Sequence, residues 1–172
     1  EIAPPERDYG WDGDPRLWDP GTEAITRTAV VTYDLFCSGH SFLADGSLLV
    51  TGGHYTGTVG VSQASIYHPM SDRWERIPDM NAGRWYPSNV TLPNRDVLVL
   101  GGTNEAGLNV TPQVWQTISK TWRSLTTATH VDFPTFADYY PFLFVAPNGG
   151  VFNAGPQPTA RYLNTAGTGS WT

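Results

Sequence analysis

The chain has 172 residues, which is enough for one domain with a substantial core. Its aromatic content of 13% and hydrophobic content of 40% argue against intrinsic disorder. The net charge is −6, with one lysine beside nine arginines, so the chain lacks the basic surface with which a protein grips nucleic acid. The longest apolar runs are too short to cross a bilayer, and no charged-then-apolar leader opens the chain, so no membrane span is expected.

Three segments along the chain share one pattern, in which a short apolar strand, a tight turn and a second strand end at a small residue. They are residues 37–53, 86–102 and 140–155. Their turns contain residues that tolerate a positive φ angle, as a two-residue hairpin loop requires: Asp45-Gly46, Asn94-Arg95 and Asn148-Gly149. Each segment is therefore predicted to be a β-hairpin, and helical periodicity is absent throughout.

An aromatic pattern of the same period follows these hairpins. Its markers are Tyr67 and Trp74, Trp115 and Trp122, and Tyr162 and Trp171. Successive copies lie about 48 residues apart, and one step back from Tyr67 reaches Trp18, which predicts a further outer hairpin there. A period of about 50 residues, with four short strands and a Gly-Gly after the second, is typical of a kelch-type β-propeller blade.

The predicted fold class is all-β, a partial kelch-type β-propeller with about three and a half four-stranded blades of a ring expected to have seven. The predicted units are an outer half-blade at 15–27, whole blades at 28–80 and 81–128, and a truncated blade at 129–172 whose last strand begins at Trp171. An open arc exposes two apolar faces and unpaired edges, so these residues are not expected to form a stable monomer. We expect a second chain, a removed segment or further residues of the same polypeptide to complete the ring.

The repeat also predicts that two distant residues are neighbours. Cys37 and Tyr86 each lie sixteen positions before the second glycine of a Gly-Gly pair, Gly53 and Gly102, and Tyr140 falls at the matching place. All three should begin the innermost strand of a blade, beside the central channel. Because Cys37 is the only cysteine, it excludes an intrachain disulfide and a thiolate-rich zinc site. An unpaired cysteine in such a place is also typical of a small buried hydrophobe.

Three ordered motifs surround these positions: Asp34-Leu-Phe-Cys-Ser-Gly39, Met80-Asn-Ala-Gly-Arg-Trp-Tyr-Pro-Ser88 and Gly150-Val-Phe-Asn-Ala-Gly-Pro156. Together they resemble the galactose oxidase and glyoxal oxidase family of copper radical oxidases, and the resemblance spans about residues 17–172. It implies that a thioether bond joins Cys37 to Tyr86, and that Tyr86 is both a copper ligand and the radical site. The implied cofactors are copper and the protein-derived Cys-Tyr pair.

The resemblance also implies a reaction, in which a primary alcohol or aldehyde is oxidised by O2 with release of hydrogen peroxide. A sulfur next to the phenol oxygen makes the ring easier to oxidise, and the phenolate oxygen suits Cu(II), which favours N and O donors. The family completes its copper site with a second tyrosine and two histidines late in the chain, and none of the four histidines here matches those positions. The remaining copper ligands are therefore expected on a missing or partner segment. The family also implies a secreted or extracellular protein.

Two departures from the family pattern bear on the substrate. Galactose oxidase covers its crosslinked tyrosine with an indole where this chain has Thr103-Asn104-Glu105, and its sugar-binding arginine aligns approximately with Phe136. Galactose is therefore not the expected substrate. A weak pocket for a small or aromatic alcohol or aldehyde is predicted from four aromatic residues: Trp85, Phe136, Tyr139 and Tyr140. The same residues are equally typical of packing between blades.

A second function is compatible with the sequence. A non-catalytic kelch propeller that binds protein or glycan would show the same repeat, with Cys37 as a free buried thiol. The two hypotheses differ in whether Cys37 is bonded to Tyr86, which only the side-chain geometry and a chemical test can decide.

Overall fold

The computed structural model describes residues 15–129, 139–155 and 160–172. The chain folds there into short β-strands, and the only helix in these ranges is a three-residue 3-10 turn, Pro69–Ser71. The strands are β1 (Arg16–Trp18), β2 (Ile25–Arg27), β3 (Gly39–Phe42), β4 (Leu48–Thr51), β5 (His54–Thr56), β6 (Val59–Gly60), β7 (Ala64–His68), β8 (Arg73–Ile77), β9 (Ser88–Thr91), β10 (Val97–Leu100), β11 (Thr103–Asn104), β12 (Gly107–Leu108), β13 (Gln113–Gln116), β14 (Thr121–Ser124), β15 (Leu143–Val145), β16 (Val151–Asn153), β17 (Arg161–Asn164) and β18 (Ser170–Trp171). The all-β prediction is confirmed.

Three four-stranded antiparallel sheets form the body of the structure. Their strand orders are β3-β4-β7-β8, β9-β10-β13-β14 and β15-β16-β17-β18, which we call the first, second and third sheets. A separate two-stranded sheet, β1-β2, precedes them. These strands fall inside the ranges 28–80, 81–128, 129–172 and 15–27, while the number of blades and the closed ring stay predictions.

Two features of the strands differ from the sequence-based expectation. Two short two-stranded ribbons occur where no strands were predicted. Along the chain, β5-β6 lies between β4 and β7 of the first sheet, and β11-β12 lies between β10 and β13 of the second. The last strand, β18, includes Ser170 and pairs with β17 through Leu163 and Trp171. No helix in the described parts of the chain has the length and apolar character needed to span a membrane.

The inner hairpins close as the turn residues predict. Gly46, Arg95 and Gly149 have φ angles of 84°, 73° and 82°, in the left-handed region that these turns require. The hydrogen bond from Leu43 N to Ser47 O closes the first turn, and the one from Leu92 N to Asp96 O closes the second, each at 2.8 Å. The local sequence therefore sets the register of each inner hairpin.

The core lies between neighbouring sheets. One buried cluster joins the first sheet to the second: Leu43, Leu49, Ala64, Ile66, Ile77, Val97 and Trp115. A second cluster joins the second sheet to the third: Leu92, Leu98, Val114, Leu125, Ala128, Val151 and Leu163. Burying one such aliphatic side chain contributes about 1.5–3 kcal/mol, so each sheet depends on its neighbour for stability.

The outermost strands add a repeated polar link between sheets. The indole Nε1 of Trp122 donates to Pro78 O at 2.7 Å, and that of Trp171 donates to Ala128 O at 2.8 Å. Each acceptor lies on the segment that leaves the preceding sheet. The regular tryptophan spacing in the sequence thus marks the residues that fasten one sheet to the sheet before it.

The two ends of this stack present apolar side chains to solvent. Trp18 and Ile25 on β1-β2 are 63% and 65% exposed, and Phe142 and Phe144 at the third sheet are 52% and 59% exposed. Large apolar side chains such as Phe42, Met70 and Ile118 are exposed elsewhere as well, but β1-β2 and the third sheet each expose a pair of them close together in the chain or across paired strands.

Glu75 carries an ionic link between the outer edges of the first two sheets. Its carboxylate lies 3.0 Å from His68 Nε2 and 3.3 Å from Lys120 Nζ, the latter on the second sheet's outer turn. The hydrogen bond from His68, helped by Lys120 and Arg73, lowers the pKa of Glu75 below its ordinary value of 4.5. A carboxylate with a lowered pKa stabilises the fold above its ordinary pKa, and this contribution disappears as the pH falls through the lowered pKa.

We therefore expect Glu75→Gln to lower the free energy of unfolding near pH 7 by up to about 1 kcal/mol, because the ion pairs are partly exposed. The difference from the wild type should vanish as the pH falls below the lowered pKa of Glu75. Urea unfolding of both proteins, repeated at steps of about one pH unit between pH 3 and pH 7, would measure this difference. A difference that persists at the acid end would contradict this assignment.

Candidate functional site

The three residues that precede the inner strands adopt the same unusual backbone conformation. Cys37, Tyr86 and Tyr140 have φ angles of 61°, 64° and 45°, in the left-handed region that residues other than glycine rarely occupy. Tyr86 N donates to Cys37 O at 2.8 Å, and Tyr140 N donates to Tyr86 O at 2.8 Å. The three sheets are thus joined at one end by consecutive backbone hydrogen bonds between equivalent residues.

These backbone contacts bring the side chains of Cys37 and Tyr86 together, although 49 positions separate them in the chain. Side-chain hydrogen bonding with Cys37 is the main cause that raises the pKa of Tyr86 above its ordinary value of 10. Burial raises the pKa of the half-buried Cys37 thiol, against the opposing effect of its contacts with Tyr86 and Trp85. Both groups are therefore neutral at pH 7, and a metal ion would have to displace the phenol proton to bind there.

Aromatic rings enclose Tyr86. Its ring centroid lies 4.2 Å from that of Trp85, 4.8 Å from Tyr140 and 5.2 Å from Tyr139, and all three pairs meet edge to face. The structure thus brings together three of the four predicted pocket residues, and Phe136 lies outside the described residues. Edge-to-face contacts of this kind hold a ring in place.

Two of these aromatic side chains have polar groups that bear on the site. The indole Nε1 of Trp85 is buried beside the Cys37 sulfur, but no atom of the described residues accepts a full hydrogen bond from it. The Tyr140 hydroxyl donates to Ser38 O at 3.2 Å and so ties the third sheet to the first. Burial raises the pKa of Tyr140 to about 12, which keeps this hydroxyl protonated.

The segment 81–87, which we call the strap, places Trp85 and Tyr86 between the first two sheets. Arg84 N donates to Val61 O at 3.1 Å, and Arg84 O accepts from Gly53 N at 3.1 Å. The next residue, Trp85, exchanges backbone hydrogen bonds with Thr103 at 2.9 and 3.0 Å. Three consecutive residues, ending with Tyr86, are therefore each fixed to a different neighbouring segment.

Glycines allow this close approach. A Cβ atom at Gly52 would lie 2.1 Å from Arg84 O, and one at Gly60 would lie 2.0 Å from the Arg84 carbonyl carbon. The sequence predicted Gly52 and Gly53 only as the end of a hairpin, whereas the structure shows that the first of them makes room for the strap. Gly60 carried no signal in the sequence, because the segment that it contacts is distant in the chain.

Two cavities lie near these residues. A cavity of about 120 Å³ beside the inner strands is lined by Gly39, His40, Pro87, Ser88, Asn89 and Tyr140. A larger open cleft of about 620 Å³ lies between the two ribbons, with Tyr55, Asp79, Asn81 and Glu105 among its lining residues. Neither cavity is lined by Cys37 or by Tyr86.

The copper donor that the family resemblance predicts among the described residues is the phenol oxygen of Tyr86. The described residues contain no group of three or more His, Cys, Asp or Glu side chains that could hold a metal ion. His54 lies 3.6 Å from Asp34 Oδ2, His68 lies against Glu75, and His40 is exposed on β3. His130 lies outside the described residues. The site therefore fits copper only as one part of a larger ligand set.

The sequence profile described as Glyoxal oxidase N-terminus matches residues 16–157, which is most of the chain. The chain belongs to the glyoxal oxidase N-terminus family. A galactose oxidase of Gibberella zeae is 34% identical over 162 residues, which cover 88% of this chain and 23% of the relative. An aldehyde oxidase, GLOX, of Vitis pseudoreticulata is 30% identical over 143 residues, which cover 79% of this chain and 26% of the relative. The chain thus spans about a quarter of the length of these relatives.

A solved structure gives the same family assignment. A fungal alcohol oxidase of the AA5 family, in complex with copper, matches with a TM-score of 0.73 and 27% sequence identity. The match covers 91% of this chain and 34% of that protein. The resemblance to galactose and glyoxal oxidases is therefore confirmed, while the roles of Cys37 and Tyr86 in this member of the glyoxal oxidase N-terminus family stay predictions.

The close contact between Gly60 and the strap can be tested by substitution. We expect Gly60→Ala to lower the free energy of unfolding by about 1–3 kcal/mol, because the new methyl group collides with main-chain atoms that cannot rotate away. Urea unfolding would measure the change. Gly150→Ala is the matched control, since its nearest neighbour is the Asn148 side chain at 3.3 Å and a change within about 0.5 kcal/mol is expected. Equal effects at both glycines would contradict the role given to Gly60.

Proposed function

We propose that this chain is the part of a copper radical oxidase that contributes a Cys37–Tyr86 thioether cofactor. The assembled enzyme would oxidise a primary alcohol or an aldehyde with O2 and release hydrogen peroxide. The observation that carries the proposal is the backbone hydrogen bond from Tyr86 N to Cys37 O, at 2.8 Å, which holds residues from two distant segments side by side. The effect of Cys37 on the pKa of Tyr86 agrees with this arrangement. Membership of the glyoxal oxidase N-terminus family supports it.

Thioether formation joins the Cys37 sulfur to a ring carbon next to the carbon that bears the Tyr86 hydroxyl. The S–H and ring C–H bonds break, one C–S bond forms, and two protons and two electrons pass to O2, which becomes hydrogen peroxide. The half-buried thiol is held next to the segment that carries the ring by the backbone hydrogen bond from Tyr86 N to Cys37 O. The attached sulfur donates electron density to the ring, so the modified Tyr86 loses an electron more easily than an ordinary tyrosine.

Copper, when bound, supplies one-electron redox chemistry and a positive charge that favours the phenolate form of Tyr86. The modified Tyr86 supplies the second one-electron step, which makes the site a two-electron oxidant. An alcohol then loses two protons and two electrons to become an aldehyde, and O2 takes them up as hydrogen peroxide. The edge-to-face rings of Trp85, Tyr139 and Tyr140 hold the Tyr86 ring in place.

The other copper donors and the base are expected on a complementary segment or second chain that completes the propeller. Two findings support this part of the proposal. The chain spans 23% of a galactose oxidase and 34% of a copper-containing alcohol oxidase that it resembles. The exposed apolar groups at β1-β2 and at the third sheet offer faces against which further sheets can pack.

The substrate is proposed to be a small or aromatic alcohol or aldehyde. Trp85, Tyr139 and Tyr140 surround the Tyr86 ring with apolar edges, and such surroundings suit a small apolar substrate better than a sugar. The role of Phe136 in this pocket stays a prediction. A secreted or extracellular location is proposed from the family alone.

Mass spectrometry tests the cofactor directly. In copper-loaded, full-length protein exposed to O2, we expect the mass of the peptide pair that contains Cys37 and Tyr86 to fall by about two hydrogen atoms. Cys37 should then resist alkylation after denaturation, because its sulfur has no free valence. Cys37→Ser is the control and should show no such loss. An unmodified, alkylatable Cys37 would favour the non-catalytic binding protein instead.

Substitution of Tyr86 separates chemistry from packing. We expect Tyr86→Phe to abolish oxidase turnover while the protein still folds and assembles, because the ring contacts with Trp85 and Tyr140 remain and only the phenol oxygen is lost. Peroxide release measures turnover, and gel filtration measures assembly. Tyr67→Phe is the matched control: it removes the hydrogen bond that the Tyr67 hydroxyl donates to Asp72 Oδ1 in the outer part of the first sheet, at a cost of about 1 kcal/mol, and should retain turnover. Loss of assembly in Tyr86→Phe would mean that Tyr86 is structural.

A further inference from the structure

Arg84, two residues before Tyr86, is a fully buried arginine that has no carboxylate partner among the described residues. Its guanidinium donates from Nη1 to Gly101 O at 2.6 Å, and from Nη2 to Thr111 O at 2.7 Å and to Asn81 Oδ1 at 3.1 Å. Its exposed fraction is 0%, and its Nε atom has no acceptor among the described residues. Burying a charged group that is held only by neutral oxygens costs free energy, so the presence of an arginine at this position needs a physical explanation.

The side chain and the main chain of Arg84 contact different sheets. The two carbonyl acceptors, on Gly101 and Thr111, belong to the segments that end β10 and precede β13 of the second sheet. The main chain of Arg84 instead bonds Gly53 and Val61, on segments that adjoin strands of the first sheet. Arg84 therefore fixes the spacing of the two sheets at the end where the site lies.

That spacing controls how Cys37 meets Tyr86. Cys37 precedes the first strand of the first sheet, and Tyr86 precedes the first strand of the second. Between Arg84 and Tyr86 there is only Trp85, whose backbone is paired with Thr103. A shift of Arg84 would therefore pass directly to the Tyr86 ring, because no flexible segment lies between them.

An arginine suits this task better than a lysine. Its planar guanidinium presents donors in a rigid fork, which here reaches three acceptors in three directions. A lysine ammonium is a single point on a flexible stem, and an apolar side chain would fill the space without orienting the strap. The role of Arg84 therefore depends on the fixed arrangement of its N–H donors and not only on its positive charge.

We propose that Arg84 is a positioning residue, which holds the Tyr86 ring against the Cys37 thiol so that the thioether bond can form. This inference rests on the proposed function, since it concerns the same cofactor. Arg84 does not touch the reacting atoms and takes no part in the transfer of two protons and two electrons to O2. Its effect is on the distance between the sulfur and the ring carbon, and a displacement of about 1 Å can slow such a reaction on the order of 100-fold.

The test measures thioether formation in folded, full-length protein that has been expressed without copper. Cu(II) is added in the presence of O2, and the loss of about two hydrogen atoms and of Cys37 alkylation is followed with time. We expect Arg84→Lys and Arg84→Met to form the thioether at least about tenfold more slowly than the wild type. The folded fraction of each variant is isolated first, so that loss of stability does not count as loss of positioning.

Leu98→Ala is the matched control. Leu98 is buried in β10 of the same sheet, in the cluster between the second and third sheets, and takes part in none of the strap's hydrogen bonds described above. Its truncation should therefore weaken the core while every hydrogen bond of Arg84 is kept. We expect this variant to be less stable yet to form the thioether at the wild-type rate. If Leu98→Ala slows the reaction as much as the Arg84 variants do at matched stability, Arg84 is only structural and the inference is wrong.

The remaining outcomes also decide. Arg84→Lys that reacts at the wild-type rate would overturn the inference and leave the proposed function intact, whereas a wild type that forms no thioether would overturn the proposed function itself. If the Arg84 variants do not fold, Asn81→Ala decides instead, because it removes one acceptor of the guanidinium and leaves Arg84 in place. A severalfold slower reaction would support the inference, and an unchanged rate would contradict it.

Discussion

The backbone hydrogen bond from Tyr86 N to Cys37 O is the constraint on which the candidate site depends. It joins two sheets just before their inner strands begin, at two residues that both adopt a left-handed backbone. That conformation is unfavourable for a non-glycine residue, so the surrounding structure has to maintain it. The same bond is repeated between Tyr86 and Tyr140, which makes the site a consequence of how three sheets are stacked.

The strap converts this stacking into a defined side-chain geometry. Its residues approach the first sheet so closely that Gly52 and Gly60 must lack a side chain, and the guanidinium of Arg84 reaches the second sheet from inside the core. The hydrophobic clusters between sheets provide most of the stability but little direction, because apolar contact is non-directional. The polar contacts of the strap instead fix the position of Tyr86 relative to Cys37.

The site has the properties expected for oxidation chemistry on a protein side chain. Tyr86 lies among aromatic edges, and the raised pKa values of Cys37 and Tyr86 keep both groups protonated near pH 7. The proposed copper site takes one donor from this chain and its other ligands from further segments. The family relationship and the length of the relatives agree with that view, because the chain corresponds to about a quarter of a galactose oxidase.

The sequence by itself determined the all-β class, the inner hairpins, and the equivalence of Cys37, Tyr86 and Tyr140, since turn chemistry and a repeat of about 48 residues are local signals. Family motifs around Cys37 and Tyr86 added the chemistry. Only the tertiary structure decided that Trp85, Tyr139 and Tyr140 enclose the ring, that Gly60 makes room for the strap, and that Arg84 is buried between two sheets. These features arise from contacts between segments far apart in the chain, and side-chain patterns along one strand carry no record of such contacts.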